Sequence, residues 1–340
     1  MNIYSTASPK SIQDALDKSD SITFMTKQKF KIDRTLYIKS NTVLDLNGAT
    51  LRRYTSGPLL RLRDGKDITK YNGTHHVTIK NGTLEGMSGA KYPYASNSLC
   101  TMFHCHDVIF ENVTFLDIPG GHAVDCCGCK NVKFINCKFL GYASVGNDFR
   151  ESIQIDFAYY GGLPTYKKGS PCYDMTRCKN ITIDGCVFDK SNSFPSQYIA
   201  IGGHVIGDDD LWHENIIVRN CVAKGNGTKV GTDTAFISIV NFKNVELYNN
   251  KVSNYPRFVL VRKVSKIYDK DQEPSGDPKQ QKNVSGLRIY NNEILTHKGT
   301  AIRWGIFCNV PYADNVFVNA NSGMTKESCE IRGTNLNINI

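Results

Sequence analysis

The sequence predicts an all-β fold, a single-stranded parallel β-helix, on three observations. One recurring pattern places apolar residues such as Val132, Phe134 and Phe139 around a step at Asn136, with the period-two alternation of a strand. The fifth position of this pattern is Asn in six copies and Gly185 in a seventh, so every strand is expected to bend at the same place. Copies that recur at roughly 20–50 residues are typical of stacked repeats. The copies are 77–84, 108–115, 131–139, 181–188, 216–223, 245–252 and 287–294.

The N-terminal segment predicts a short capping helix. Ser8 suits the N-cap, Pro9 suits the first helical position, and Ile12, Ala15 and Leu16 share one face. Because the end of a solenoid exposes its core, an amphipathic helix at this place is expected to cover it. Short strands are expected to follow and to form a less regular first coil, at 22–24, 30–32, 36–38 and 43–46.

Each regular coil is predicted to carry a second strand after the repeat strand. These second strands are 123–126, 152–156, 198–202, 235–240, 257–261 and 300–305. Three long loops, 142–149, 158–178 and 263–281, exceed the minimal coil, and insertions in solenoids gather on the binding face. The chain is therefore expected to form one domain, with a cap and irregular coil over 1–55, regular coils over 56–310 and a C-terminal end over 311–340.

The positions of the cysteines and the net charge limit the roles and partners that this protein can have. Of 12 cysteines, Cys137, Cys186 and Cys221 occupy one repeat position, which predicts an inward column of free thiols rather than disulfides or zinc ligands. The net charge of +9 favours an anionic partner, and no basic stretch is dense enough to predict nucleic-acid binding. With no signal peptide or membrane-spanning run visible, the protein is expected to reach the cell exterior by lysis, by dedicated secretion or in a virus particle.

Alignment of the second strands predicts where the chemistry lies. Asp125 is placed opposite Gln154, and Cys127 opposite Asp156, on neighbouring coils about 4.8 Å apart. The first of these rows is expected to continue through Ala200, Ser238, Leu260 and Arg303, and the second through Gly202. The carboxylates of Asp125 and Asp156 would then lie roughly 5–9 Å apart, the range in which paired acids cleave glycosidic bonds.

The predicted catalytic residues are Asp125, Asp156 and His204, with His204 shuttling a proton or orienting the substrate. The predicted substrate-binding residues are His122, Glu151, Gln154, Arg262, Arg303 and Tyr159. Each has a structural alternative: the two aspartates as exposed strand residues or ion-pair partners of Arg150 or Arg262, His122 as a turn residue, and the aromatic rings as loop packing. No cofactor and no metal are predicted. The run 208–210, with His204 and His213 nearby, is expected to be a solvated loop, and whether it binds a cation is left open.

Two pairs of sequence runs resemble a known family, and the resemblance covers about residues 8–310. The runs S-I-Q-D-A-L-D and T-L-Y-I-K-S-N-T-V-L-D-L-N-G-A-T-L resemble the entry of the pectate-lyase-like superfamily of right-handed β-helices. The runs G-H-A-V-D-C-C-G-C-K-N-V-K-F and R-E-S-I-Q-I-D resemble members from phages and prophages of Gram-positive bacteria. The resemblance implies a right-handed helix, a carbohydrate-related role, a virion-associated or extracellular location and, as one option, a homotrimer.

Two signatures of that superfamily do not carry over. The R-x-P-x-x-R motif of calcium-dependent lyases is absent, and the polygalacturonase motifs are reduced to fragments at 202–204 and 301–303. The leading hypothesis is an enzyme that hydrolyses an anionic cell-surface polysaccharide or a teichoic-acid-type polymer. The alternatives are a non-catalytic phage receptor-binding spike and a polysaccharide lyase or epimerase on the same fold.

Overall fold

The computed structural model describes residues 1–62, 65, 67–86, 98–143, 151–203, 211–227, 234–262, 267–276, 284–295, 306–308 and 313–340. These residues form one α-helix, α1 (Pro9–Lys18), a short 3₁₀ helix at Lys326–Ser328, and strands throughout. The first strands are β1 (Asn2–Ile3), β2 (Ser21–Phe24), β3 (Lys29–Ile32), β4 (Leu36–Ile38), β5 (Val43–Asp45), β6 (Thr50–Arg53), β7 (Leu60–Leu62), β8 (His75–Glu85), β9 (Cys100–Phe103) and β10 (His106–Ile118).

The strands of the middle of the chain are β11 (Val124–Cys127), β12 (Lys130–Ile135), β13 (Lys138–Tyr142), β14 (Glu151–Asp156), β15 (Lys179–Asp184), β16 (Val187–Asp189), β17 (Ile199–Gly202), β18 (His213–Arg219), β19 (Val222–Lys224) and β20 (Ala235–Ile239). Those of the C-terminal part are β21 (Phe242–Tyr248), β22 (Lys251–Ser253), β23 (Val259–Val261), β24 (Ile267–Tyr268), β25 (Pro274–Gly276), β26 (Val284–Tyr290), β27 (Glu293–Leu295), β28 (Ile306–Cys308), β29 (Ala313–Asn319) and β30 (Gly333–Ile338).

The strands wind into a single-stranded, right-handed parallel β-helix, as predicted. A typical turn contributes two consecutive segments to a 19-stranded sheet and one strand to a 9-stranded sheet, for example β12, β13 and β14. Each segment pairs in parallel with its equivalent one turn on, as β12 does with β15 and β14 with β17. The small hairpin of β24 and β25 is antiparallel and lies outside these two sheets. The large sheet extends through β29 and β30, whose residues keep the register of β26.

The predicted bend in each repeat strand is confirmed. All six asparagines of the fifth position and Gly185 have positive φ, the left-handed conformation that Asn and Gly tolerate best. A second column of left-handed asparagines, which the sequence analysis did not identify, lies at the start of the repeat strands. Its side-chain amides bond from turn to turn, with Asn131, Asn180 and Asn215 linked at 2.8 Å. Both columns fix the corners of the solenoid by satisfying polar groups along its axis.

The interior of the solenoid is packed by columns of equivalent residues. Cys137, Cys186 and Cys221 are buried in one inward column, as predicted, and the eleven cysteines whose side chains are described are all free thiols. In the next turns the column continues as Asn250 and Asn292, whose amides bond to buried backbone carbonyls. At these two positions the stack itself supplies hydrogen-bond partners for a polar side chain in the core.

The helix α1 covers the N-terminal end of the core, as predicted. Ser8 accepts a hydrogen bond from the Ser11 N–H at 3.1 Å, and Ile12, Ala15 and Leu16 are buried against the first strands. Nowhere in the described part of the chain does a helix have the length and hydrophobicity to span a membrane.

A buried carboxyl outside the predicted site yields a stability prediction. Asp117 follows Leu116 in β10 and is 4% exposed, close to Glu85, whose carboxylate is paired with Lys29 and Arg52. Burial raises the pKa of Asp117, the nearby charge of Glu85 adds to this, and a hydrogen bond with Ser191 opposes it. Since the folded-state pKa is raised, this group stabilises the fold fully only below its unfolded pKa and loses that contribution as pH rises.

We therefore expect Asp117→Asn to raise the free energy of unfolding at pH 7 by on the order of 0.5 kcal/mol, and this gain to vanish as pH falls toward about 4. Asn also suits the positive φ of 52° at this position. Urea unfolding between pH 4 and 8 measures the effect. Asp14→Asn, on the exposed face of α1, controls for the loss of one negative charge. A lower stability of Asp117→Asn at pH 7 would contradict the prediction.

Candidate functional site

The outward face of the 9-stranded sheet carries the polar residues that the sequence analysis singled out. Asp125 of β11 pairs with Gln154 of β14, and Cys127 pairs with Asp156, as predicted. Their neighbours along the two strands, Val124, Cys126, Ile153 and Ile155, belong to the core. Because side chains alternate along a strand, the side chains of the two pairs point away from the core. Asp125 and Asp156 therefore lie on adjacent turns and on one wall.

The register beyond β14 differs from the prediction in three places. Gln154 pairs with Gly202 rather than Ala200, and Ala200 belongs to the core. Gly202 therefore does not continue the row of Cys127 and Asp156, as had been predicted. The row continues through Ser238 and Leu260 as expected, but Leu260 pairs with Phe307, so the predicted place of Arg303 in this row is wrong. The physical reason is that several turns point two consecutive residues inward near the start of their strand, as with Ala200 and Ile201, which interrupts simple alternation.

Three acids, a histidine and an amide meet at this wall and define the acidic site: His122, Asp125, Glu151, Gln154 and Asp156. Asp125 is 4% exposed, and Glu151 and Asp156 are 1% exposed. The Cys127 thiol donates to Asp125 Oδ1 at 3.2 Å, and the Gln154 amide donates to Asp156 Oδ2. Carboxylates at such burial are found almost only where a network or a function retains them, because removing a charge from water is costly.

His122 lies in the corner before β11, and Glu151 is the first residue of β14. The Nδ1 atom of His122 lies 2.9 Å from the Glu151 carbonyl oxygen and 3.6 Å from its Oε2. The Glu151 side chain extends over Gly202, where a Cβ would stand 3.1 Å from Glu151 Cγ. The glycine therefore leaves room for the carboxylate to lie on the outer face of the sheet.

Arg262 follows β23 and reaches back along the axis toward the acidic site. Its Nη1 donates to the Gly203 carbonyl oxygen at 3.1 Å. A Cβ at Gly203 would stand 3.4 Å from Asp156 Oδ1, so the guanidinium is brought to the neighbourhood of that carboxylate. Arg262, one of the ion-pair partners considered for the two aspartates, thus comes near Asp156, although β23 lies three strands from β14 in the sheet.

Residues 157–178, here called the strap, cover part of this wall. Its side chains Ala158, Leu163, Cys172 and Tyr173 form a hydrophobic cluster with the outward residues Phe103 and Cys127. Tyr159 is buried beside Phe157, its ring lying against Gly161 and Gly162. Burial raises the pKa of Tyr159, and the charges of Asp156, Asp125 and Glu151 raise it further, which indicates that its phenol lies close to the acidic site.

The strap is tied to distant turns at both ends. Toward the C-terminus it meets the β24–β25 hairpin, where the Tyr160 N–H donates to the Lys270 carbonyl at 2.9 Å and Lys168 pairs with Glu273. Toward the N-terminus the Lys70 N–H donates to Asp174 Oδ2 at 2.8 Å. The strap therefore forms a side wall that runs along the solenoid axis beside the acidic site.

His104 holds the strap from below. This fully buried ring has Nδ1 against the Lys70 carbonyl and Nε2 2.7 Å from the Cys172 carbonyl, with Asp174 Oδ1 3.7 Å from Nε2. Carbonyls only accept hydrogen bonds, and a neutral imidazole has a single N–H, so the tautomer of His104 decides which of the two carbonyls accepts its hydrogen bond.

We expect His104→Phe to loosen the strap, because the carbonyl that accepts the hydrogen bond of the ring loses its donor, at a cost of about 1–3 kcal/mol. Hydrogen exchange should speed up in residues 157–178 and stay unchanged in β26. His76→Phe, on an exposed corner of the same fold, is the matched control. Equal exchange of the strap in wild type and His104→Phe would show that the ring does not hold it.

The structure thus brings together most of the predicted site residues: Asp125, Asp156, His122, Glu151, Gln154, Tyr159 and Arg262. His204, Arg303, Arg150 and the run 208–210 lie outside the described residues. Among the residues that the structure does describe, no group of three or more His, Cys, Asp or Glu is placed to hold a metal ion. His213 is buried in the core between Phe157 and Phe242, and burial lowers its pKa to about 3.

Four residues near this wall were not proposed as site residues from the sequence. Thr101 and Ser238 extend the row of Asp125 on either side, and both are buried. Arg257, which is also buried, takes the position of Glu151 three strands further on, as the pairing of β14, β17, β20 and β23 shows. The sequence correctly predicted that Cys127 pairs with Asp156. The hydrogen bond from Cys127 to Asp125, which makes it part of the site, was not predicted.

These features define the chain as a right-handed parallel β-helix protein with a buried acidic cluster on one wall. No protein-family model matches it. Plasmin and fibronectin-binding protein A of Streptococcus pneumoniae strain R6 is 27% identical over 228 residues, which cover 57% of this chain and 31% of that protein. The chain therefore matches less than half the length of this relative.

Solved structures share the fold. The S. pneumoniae surface protein and adhesin PfbA has a TM-score of 0.67 at 19% identity, covering 99% of this chain and 89% of that one. Alginate lyase from Paenibacillus sp. strain FPU-7 has a TM-score of 0.54 at 14% identity, covering 100% and 99%. A tailspike mutant of E. coli bacteriophage HK620, solved with a pentasaccharide, has a TM-score of 0.50 at 11% identity, covering 93% and 62%. These comparisons support the predicted fold, a right-handed parallel β-helix.

Proposed function

We propose that this protein is a carbohydrate-active enzyme that cleaves an anionic polysaccharide or a teichoic-acid-type polymer outside the cell. The observation that carries the proposal is the acidic site, where Asp125, Glu151 and Asp156 converge from adjacent turns at 4%, 1% and 1% exposure. Carboxyl groups that are buried close to one another acquire different pKa values. A reaction that uses one carboxyl as acid and another as base needs such a difference. The net charge of +9 favours an anionic polymer.

In the proposed reaction Asp125 and Asp156 act as the acid and the base or nucleophile of glycosidic hydrolysis. Arg262, and Arg303 beyond the described residues, would hold acidic groups of the substrate, and His204 would assist proton transfer. His122, Glu151, Gln154 and Tyr159 would line the substrate. The side chains of the acidic site are buried in this structure. A polymer would therefore reach them only when the residues that cover this wall, the strap among them, move away from it.

Alginate lyase and the tailspike solved with a pentasaccharide share the fold and give the proposal its substrate class by analogy alone. The test is incubation of the purified protein with polygalacturonate, alginate, capsular polysaccharide and teichoic acid, followed by reducing-end assay and mass spectrometry. New reducing ends with saturated products support hydrolysis. Unsaturated products that absorb in the ultraviolet would replace it with a lyase, and altered sugar composition without new ends would replace it with an epimerase.

A second candidate is a non-catalytic surface or receptor-binding protein. Two observations favour it: the sequence relative is named for binding plasmin and fibronectin, and the acids are shielded from solvent in this structure. Binding of the protein to bacterial cell walls or to fibronectin-coated surfaces, with no product from any glycan, would favour this candidate over the enzyme.

A further inference from the structure

Cys127 directly contacts a candidate catalytic carboxylate, although it was not among the predicted site residues. It ends β11 and pairs with Asp156 on one side and Phe103 on the other, so it lies on the outward face. Its neighbour Cys126 points into the core. Since Cys127 follows Asp125 by two residues in the strand, both side chains lie on the same face, and Sγ approaches Asp125 Oδ1 to 3.2 Å.

The surroundings of Cys127 keep it a neutral donor. The side chain is fully buried and packs against Phe103 and the strap residues Ala158 and Leu163. Burial raises the pKa of the Cys127 thiol well above its usual value, and the charges of Asp125 and Asp156 raise it further. A thiol held in its S–H form is neither a nucleophile nor a metal ligand, and its available role here is to donate a hydrogen bond.

We propose that Cys127 is a positioning residue of the acidic site, which orients Asp125 and sets the pH at which that carboxyl exchanges its proton. The effect of Cys127 on catalysis rests on the proposed function, in which Asp125 is a catalytic residue. The hydrogen bond from Cys127 to Asp125 does not depend on that function. A thiol is a weak donor, so it fixes the carboxyl without stabilising the ionised form as strongly as a hydroxyl would.

Two substitutions separate this role from simple packing. Cys127→Ser replaces S–H by a stronger O–H donor of similar shape, and Cys127→Ala removes the donor. Cys137→Ser and Cys137→Ala are matched controls, because Cys137 is equally buried but donates to the Phe110 carbonyl, at 3.3 Å. The Asp125 carboxyl is followed by ¹³C NMR on protein labelled at aspartate, with its signal assigned through Asp125→Asn.

We expect the titration of Asp125 to move to lower pH in Cys127→Ser and to higher pH in Cys127→Ala, each by roughly 0.5–1 pH unit, with no change in the Cys137 variants. The matching limb of the pH–rate profile of glycan cleavage should shift in the same order, in kcat more than in KM. An unchanged Asp125 titration in Cys127→Ser overturns the proposal, and so does an equal shift in the Cys137 variants. If Cys127→Ala does not fold, the comparison of Cys127→Ser with wild type decides. If no glycan is cleaved, the NMR titration still tests the positioning role, whereas the proposed function alone fails.

Discussion

Asp125→Asn and Asp156→Asn are each expected to lower the rate of glycan cleavage by about 10²–10⁴-fold, with little change in fold or glycan binding. The reason is that asparagine keeps the shape of the side chain but can neither take up nor release a proton at working pH. Both carboxyls lie on one wall on adjacent turns, each with a donor from its own strand, Cys127 for Asp125 and Gln154 for Asp156. The measurement is initial rate by reducing-end assay on the polymer that the wild type cleaves.

The matched control for these variants is Asp117→Asn. Asp117 is also a buried aspartate of this solenoid, but it lies in β10 of the large sheet, near Glu85, whereas Asp125 and Asp156 lie in the 9-stranded sheet. It should keep the activity of the wild type. Full activity in both Asp125→Asn and Asp156→Asn would remove these residues from the mechanism. Lost activity together with lost binding and a lowered melting temperature would instead assign them a structural role.

The second large effect is expected in the core, where Phe139→Ala should lower the free energy of unfolding by about 3–5 kcal/mol. Phe139 lies in the middle of a three-ring stack, 4.9 Å from Phe115 and 4.8 Å from Phe188 between ring centroids, with the rings almost parallel. Truncation removes contacts with the turns on both sides and leaves a cavity that the rigid stack cannot close.

Urea unfolding, supported by hydrogen exchange in β13 and β16, measures this loss. Val222→Ala serves as the control, since Val222 is 49% exposed in the strand that follows β16 in the stack and should lose little stability. A loss below about 1 kcal/mol for Phe139→Ala would mean that neighbouring turns repack around the missing ring.

Much of the site could be predicted because local sequence determines it. The pairs Asp125 with Gln154 and Cys127 with Asp156 follow from alternation on two neighbouring strands of similar length. The error at Ala200 arose because the alternation breaks at the corner, where two consecutive residues point inward, a feature of how the chain turns rather than of strand propensity. The error at Arg303 concerns the last turn, where Phe307 takes the place opposite Leu260 that was predicted for Arg303.

The amino-acid sequence by itself determined the repeating strands, the bend at each Asn or Gly185, the helix that covers the first turn and the inward column of cysteines. These features depend on backbone preference and on period-two burial, which neighbouring residues set. Only the tertiary structure decided that the strap lies over the outward face, that His104 holds it, and that Asp125 and Asp156 are shielded from water. Those contacts join residues tens of positions apart, and which of them meet depends on the lengths and paths of the loops between turns.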